Sequence, residues 1–390
     1  MNKLARSNKI LLCVSNTGGG HRSAATAIKN AIDELTATEK LPTAKYEVLI
    51  VDVVENSNAL HKGFVGIYNF LLRYQQGWMK YYYSAIQTLK PDNSALGYWL
   101  ASSYLKKLLH EIEPVVVVSI HPMANHYLAR ALENAHLPNR PLLILDVIDP
   151  NAKLWIGWAC IDASTIIVAN ELAQKRLVAL GIDAVKIATI GMPIDPTFLQ
   201  PAKISREKFL SELDLSPDMV TICLTAGWAG GGNFVKIYGA LIGVQKAIQV
   251  IVICGKNEKL HKKITQMSRK MPFKTSVEKE LPSLSSAMNA CDLLVTKAGG
   301  LTTFEAIARR LPMAIDMLTE PMPQEIGTAE ILIAAGLAKP IRKATDIIAL
   351  VEETKHIEDR EATALPSINN LDRTHAVYDI AKLILKNCHI

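Results

Sequence analysis

A histidine directly after three glycines is the first feature of this chain with chemical consequence. Gly18, Gly19, Gly20 and His21 interrupt the apolar run that ends at Val14 and precede a helix-like pattern starting near Ser23. Glycine lets backbone N–H groups come close to a ligand, and a helix start with unpaired donors favours negative charge. An imidazole at the loop exit adds a group that titrates near neutral pH, which makes His21 a candidate general base. The alternative for His21 is a solvated polar residue in a first helical turn. Two later junctions carry related chemistry. In TAGWAGGGNFVKI, Gly227, Gly230, Gly231 and Gly232 separate an apolar run from a helix start near Asn233. In TKAGGLTTFEAIARRLP, Gly299 and Gly300 lead into Leu301, Thr302 and Glu305. Thr302 and Glu305 also fit the S/T-x-x-E capping box, so helix capping alone accounts for them equally well. The first loop is a poor dinucleotide fingerprint. G-x-G-x-x-G fails at Ser23, and Asp52 stands beyond the usual ~20-residue spacing of the ribose-binding acid.

Positioning three such loops needs strands that end together. Short β-branched runs alternate with helical patterns along most of the chain, the signature of parallel sheets with crossover helices. Strands are expected at KILLCVS, YEVLIVDV, PVVVVSI, PLLILDVI, STIIVAN and KIATIG, then at MVTICLTAG, IQVIVICG, DLLVTKAG and PMAIDM. The expected class is therefore α/β, with two doubly wound Rossmann-like domains. The 390 residues exceed what one core ordinarily serves. Proline-rich GMPIDPTFLQPAKISREK sets the boundary: an N-terminal domain over 1–195, a linker over 196–206 and a second domain over 207–370. Residues 371–390 form a C-terminal amphipathic helix, apolar at Val377, Ile380, Leu383 and Ile384, which is expected to pack back on the N-terminal domain. In such sheets ligands bind beyond the strand C-termini, so two facing domains would place the loops on one cleft.

Composition excludes several classes. The net charge is +6 with Lys and Arg dispersed, so no nucleic-acid footprint is expected. Six cysteines without a C-x-x-C pair fit a reducing cytoplasm. No stretch reaches the ~20 apolar residues that span a bilayer.

NTGGGHRSAATAI, VSIHP, IGMPIDPTF, CGKN and MNACDLLVTKAGGLTTFEAIARRLPMAI resemble, in that order, the motifs of the monogalactosyldiacylglycerol synthase and processive diacylglycerol glucosyltransferase family, relatives of the MurG-type transferases. The resemblance covers roughly residues 9 to 340 and is most specific from Met288 to Ile315. It implies a GT-B fold and an inverting transfer from a nucleotide sugar, usually a UDP-sugar, to a lipid such as diacylglycerol. It implies that His21 is the catalytic base and that Gly230, Gly231, Gly232, Lys256, Asn257, Gly299, Gly300, Leu301 and Thr302 border the donor. Glu305 would take the ribose hydroxyls, and Gln324 and Glu325 the sugar hydroxyls. Gly19, Gly20, His121, Asp146 and Trp155 fall on the acceptor side. The family's T-D and H-P segment is altered around Asp146, and the asparagine after its Q-E pair is missing. Galactose, glucose and N-acetylglucosamine all remain open as the sugar.

A departing diphosphate needs a metal or fixed positive potential. No D-x-D motif occurs, so neither a metal nor any other cofactor is expected, with loop and helix N–H groups supplying the potential. From Asn56 to Pro91 there is no acidic residue, while Lys62, Arg73, Lys80 and Lys90 are present with eight of the chain's aromatics. Basic residues with interfacial aromatics, among them Trp78, Tyr81 and Tyr82, suit an anionic membrane surface, which would put the protein peripherally at the inner face of the membrane. The bland alternative is a core-packing helix pair with a solvated edge. Competing functions are a nicotinamide oxidoreductase, disfavoured by the incomplete fingerprint, a sugar-nucleotide epimerase, a membrane-docking sugar-nucleotide sensor without catalysis, and a transferase with a non-glycerolipid acceptor.

Overall fold

The computed structural model describes residues 8–38, 46–356, 373 and 375–388. The chain divides into two compact units. The first spans Met1–Tyr68, Tyr81–Pro196 and Arg373–Ile390, and the second Asn69–Lys80 and Thr197–Asp372. The boundary read at residues 370 and 371 lies outside the described residues.

The first half of the chain begins with β1 (Lys9–Val14), α1 (Gly20–Thr38), β2 (Glu47–Asp52), α2 (Val53–Ser57) and α3 (Ala59–Tyr74). It continues with α4 (Met79–Leu89), α5 (Ala95–Ile112), β3 (Val116–Ser119), α6 (Asn125–Asn134) and β4 (Leu142–Val147). It ends with β5 (Thr165–Val168), α7 (Glu171–Ala179) and β6 (Ile187–Thr189). The strands form one parallel sheet in the order β2-β1-β3-β4-β5-β6. Central β1 is covered on both faces, which is why Ile10 to Val14 are an unbroken apolar run and fully buried. Each such side chain contributes roughly 1.5–3 kcal/mol of burial.

The second half carries α8 (Arg206–Glu212), β7 (Val220–Thr225), α9 (Phe234–Ala240), β8 (Ile248–Ile253), α10 (Glu258–Ser268), β9 (Thr275–Glu278) and α11 (Leu284–Ala290). It goes on through β10 (Leu293–Thr296), α12 (Gly300–Ala308), β11 (Met313–Asp316), α13 (Pro323–Ala334), β12 (Ala338–Ile341) and α14 (Asp346–Glu353). Here the parallel order is β12-β11-β10-β7-β8-β9. Strands β9 and β12 were not anticipated from sequence. They are the two edges of the sheet, where short, polar TSVE and proline-bearing AKPI are tolerated because one side of the strand needs no partner. At the N-terminal ends of β7 and β10, buried Arg206 reaches Asp292 at 3.1 Å and also donates to the Pro217 and Met219 carbonyls. Breaking such a buried pair costs about 3–5 kcal/mol.

The last helix, α15 (Ala376–Asn387), belongs to the first unit. It buries Val377, Ile380 and Ile384, while Leu383 is half-buried, and its Tyr378 hydroxyl donates to Glu34 of α1 at 2.7 Å. Among the described residues no helix is long and apolar enough to cross a membrane. All six cysteines are buried, and none is joined in a disulfide.

Candidate functional site

In each sheet the order reverses beside the unit's first strand, and chains leaving the reversal on opposite faces open a crevice at the strand C-termini. In the first unit β1 and β3 flank the reversal, and both histidines issue from it. The turn after β1 is possible because Gly18 and Gly19 hold φ of 74° and 84°. The helix starts at Gly20, three residues before the expected Ser23, so His21 stands in its first turn.

His21 donates from Nδ1 to the carbonyl of Ile120, the first residue after β3. A carbonyl only accepts, so the proton is on Nδ1 and the lone pair is on Nε2. His121 is oriented the other way. The Met123 N–H donates to its Nδ1 at 3.3 Å, which leaves the proton on Nε2 and makes the 2.8 Å contact with Thr17 a donation to Oγ1. Burial lowers the pKa of His21 to about 4 and that of His121 well below the usual range, and the His21 ring adds to the shift at His121. His21 is therefore neutral at physiological pH, with Nε2 ready to accept a proton.

A third ring completes this group. Trp158 is fully buried 6.5 Å from the His21 ring, and its Nε1 donates to Asp149 at 2.7 Å. The sequence reading missed Trp158, although its spacing from Trp155 in WIGW was a visible signal. Trp155 is also buried, packed so closely on Gly157 that an added Cβ would lie 2.7 Å from its ring and 3.2 Å from the Pro122 carbonyl. Gly20 has Ile148 as its neighbour. Asp146, on β4, is fully enclosed, neither carboxylate oxygen has a hydrogen-bond partner among the described residues, and burial pushes its pKa up to about 8. No direct bond therefore links Asp146 to the histidines.

In the second unit β7 and β10 flank the reversal, so the loops at Gly227–Gly232 and Gly299–Gly300 arise from adjacent strands. The first loop interlocks with the one after β8. Asn257 donates from Nδ2 to the Gly230 carbonyl at 2.7 Å while its Oδ1 caps α10. The Lys256 N–H donates to the Trp228 carbonyl at 2.9 Å, and its ammonium lies 4.6 Å from the Trp228 ring centre. A Cβ at Gly230 would collide with the Cys254 carbonyl, so only glycine permits this approach. Asp316, at the end of β11, holds the far side of the loop by accepting from the Asn233 N–H at 2.8 Å and from its Nδ2.

The second loop corrects the capping-box expectation. Gly299 is the N-cap of α12 and offers no side chain, which puts Thr302 and Glu305 at the third and sixth helical positions. A capping box needs the N-cap and third positions, so capping does not explain Glu305, which is buried. Gln324 and Glu325 lie in the first turn of α13, with the Gln324 amide 3.8 Å from the Met322 sulfur.

The basic, aromatic segment is only partly as expected. Trp78 and Tyr81 are exposed, as is Lys80. Tyr82 is not part of that surface: it is half-buried between Tyr68 and Tyr83, with ring centres 5.8 and 6.1 Å away, and burial raises its pKa. The exposed apolar residues are more numerous than foreseen, with Leu60, Phe64, Ile67 and Phe70 on α3 and Leu96 and Trp99 on α5. Arg73 is held elsewhere, donating from Nε to the Ala229 carbonyl of the glycine loop at 3.0 Å.

Comparison with known proteins agrees with the motifs. A model of the monogalactosyldiacylglycerol (MGDG) synthase family matches residues 21–194. A probable chloroplastic monogalactosyldiacylglycerol synthase of Nicotiana tabacum is 28% identical over 358 residues, covering 87% of this chain and 64% of the relative. Monogalactosyldiacylglycerol synthase 1 of Arabidopsis thaliana is 26% identical over 98% of this chain and 72% of its own length. The chain thus spans somewhat under two thirds of the tobacco relative. Among solved structures, MurG of Acinetobacter baumannii superposes with a TM-score of 0.55 at 13% identity, covering 97% of this chain and 99% of that one. Anabaena HepE in complex with UDP and glucose gives 0.55 at 16% identity, covering 97% and 99%. A putative UDP-N-acetylglucosamine 2-epimerase of Listeria monocytogenes gives 0.58 at 15%, covering 97% and 96%. The GT-B fold and the resemblance to the monogalactosyldiacylglycerol synthases are borne out.

Proposed function

We propose that this chain is an inverting glycosyltransferase that moves a hexose from a UDP-sugar to the hydroxyl of diacylglycerol at a membrane surface. One observation carries the reading: His21 is fixed by the Ile120 carbonyl as the tautomer whose Nε2 accepts a proton. Inversion in a single displacement requires such a base within hydrogen-bond reach of the acceptor hydroxyl. Similarity to proteins named as monogalactosyldiacylglycerol synthases supports diacylglycerol, and the likeness of fold to a protein solved with UDP and glucose supports a UDP-sugar.

In this reading Nε2 of His21 takes the hydroxyl proton as the oxygen attacks the anomeric carbon, and UDP leaves from the opposite face. The backbone donors of Gly231 and Gly232 and of the start of α12 stabilise the departing diphosphate without a metal, while the Gly230 N–H, which donates to the Gly227 carbonyl at 3.0 Å, holds the loop in shape. Glu305 accepts from the ribose hydroxyls, Gln324 and Glu325 position the sugar, and Lys256 and Asn257 border the donor. His121 and Thr17 hold the His21 ring in place. The exposed aromatics and Lys80 bring the protein to anionic lipid.

The test is UDP release from UDP-galactose, UDP-glucose and UDP-N-acetylglucosamine, with and without diacylglycerol in anionic mixed micelles, in EDTA. Release with one donor that requires the lipid and survives EDTA is expected. Activity abolished by EDTA and restored by a divalent cation removes the metal-free mechanism. UDP binding without turnover favours a sensor, and interconversion of UDP-sugars without lipid favours an epimerase.

A further inference from the structure

Arg73 sits among the basic residues of a segment that reads as lipid-facing, yet the structure gives it a different neighbour. Residues Asn69–Lys80 belong to the second unit, although the sequence on either side of them belongs to the first. The C-terminal turn of α3 lies directly on the glycine loop. A Cβ on Gly231 would collide with the Leu72 carbonyl and stand 2.6 Å from the Gln76 amide nitrogen, so this approach exists only because residue 231 is glycine. Within that contact Arg73 Nε donates to the Ala229 carbonyl at 3.0 Å.

The single bond leaves most of the guanidinium uncommitted. Its other contact is the Tyr74 ring, 5.8 Å away, and among the described residues no carboxylate pairs with it. Lys259 approaches the same Tyr74 ring to 5.3 Å, and the Lys256 ammonium stands over Trp228 in the next loop. A charge anchored through Nε, with both Nη groups available and no carboxylate beside it, is arranged to meet an anion at Ala229–Gly231. An arginine fork suits two phosphate oxygens in a way a lysine does not.

We propose that Arg73 binds the diphosphate of the donor, its Nη groups contacting phosphate oxygens while Nε stays on the Ala229 carbonyl. The proposal rests on the UDP-sugar reading above and deepens it. One helix would thereby carry apolar residues for the membrane at its start and a donor-binding cation at its end.

The experiment measures the affinities of UDP and of uridine for the full chain and for Arg73→Gln and Arg73→Lys, at low and high salt. Arg73→Gln is expected to weaken UDP by about 10–100-fold, the loss of one or two charge-assisted hydrogen bonds, with uridine unchanged and the difference shrinking in high salt. Arg73→Lys, which keeps the charge, is expected to fall between, and it carries the test if the Gln variant unfolds. Equal weakening of UDP and uridine would make Arg73 a structural tie for the loop, and unchanged UDP affinity would remove it from the donor site; either result overturns the proposal. A wild-type chain that binds no UDP would instead overturn the donor reading itself, which distinguishes the two failures.

Discussion

His21 and His121 stand edge to face with ring centres 4.4 Å apart, and their hydrogen bonds give them opposite tautomers. The first donates from Nδ1 to the Ile120 carbonyl, while the second accepts at Nδ1 and donates from Nε2 to Thr17. Two desolvated imidazoles at this distance resist sharing positive charge, so each disfavours protonation of the other. The pair keeps one basic nitrogen, Nε2 of His21, in its neutral form.

That arrangement sets a pH expectation. The His21 pKa is lowered to about 4, so the neutral, proton-accepting form persists at every pH above that value and is lost as pH falls through it. The rate of sugar transfer should therefore lack an acidic limb at the usual imidazole value near 6.5 and decline only toward pH 4. His21→Ala should lower transfer by about 10²–10⁴-fold and leave UDP binding intact. An inflection near 6.5 that disappears in His21→Ala would show a solvated base and contradict the desolvated tautomer.

Asp146 predicts the pH dependence of stability. Its folded pKa is raised from 3.8 to about 8, so the folded chain binds the proton more tightly than the unfolded chain does. The contribution is fully present below the unfolded value and is lost as pH rises toward 8. Asp146→Asn, which keeps the shape and discards the charge, should flatten the decline in melting temperature between about pH 5 and 8.5 and raise it at the alkaline end. Identical slopes for the two proteins would show that Asp146 is ionised and solvated.

Much of this was legible in the sequence because central strands announce themselves. Runs such as Ile10 to Val14 are buried on both faces and cannot be mistaken for surface, and the glycine loops follow them directly. Edge strands β9 and β12 carried no such signal, since their exposed side tolerates Lys339 and Pro340. The histidine loop was visible, but its chemistry was not, because the tautomer of His21 depends on a carbonyl 99 positions away. Arg73 shows the same limit. Its sequence neighbourhood groups it with the lysines of the basic segment, and only a contact across 156 positions brings it to the glycine loop.

Glu305 offers a test that separates ligand binding from helix stability. At the sixth position of α12 it stands outside the capping box, so replacing it should not unravel the helix start. Glu305→Ala should weaken UDP by about 10–100-fold through the loss of hydrogen bonds to a charged acceptor. If those bonds reach the ribose, the variant should also discriminate less between UDP and 2′-deoxy-UDP. Unchanged UDP affinity would exclude the ribose role.

The proposed membrane-facing surface is tested on α3. Leu60, Phe64 and Ile67 are 53%, 46% and 51% exposed and follow one another at intervals of four and three residues, which aligns them on one helix face. A helix of a globular domain normally buries such a stripe, and its exposure beside Lys62 is the feature that the proposed docking on anionic lipid would use. Transfer of a half-exposed Phe and Ile into the interface contributes on the order of 1 kcal/mol each, so Phe64→Ser with Ile67→Ser should weaken binding to phosphatidylserine-containing vesicles about 10–30-fold. Raising salt should weaken wild-type binding as well, because lysines add a screened electrostatic attraction. UDP affinity in detergent-free buffer should not change in the double variant, since neither side chain is part of the glycine-loop site. Vesicle binding that survives the two substitutions would move the docking surface to Leu96 and Trp99 on α5, which the corresponding serine variants would then reveal.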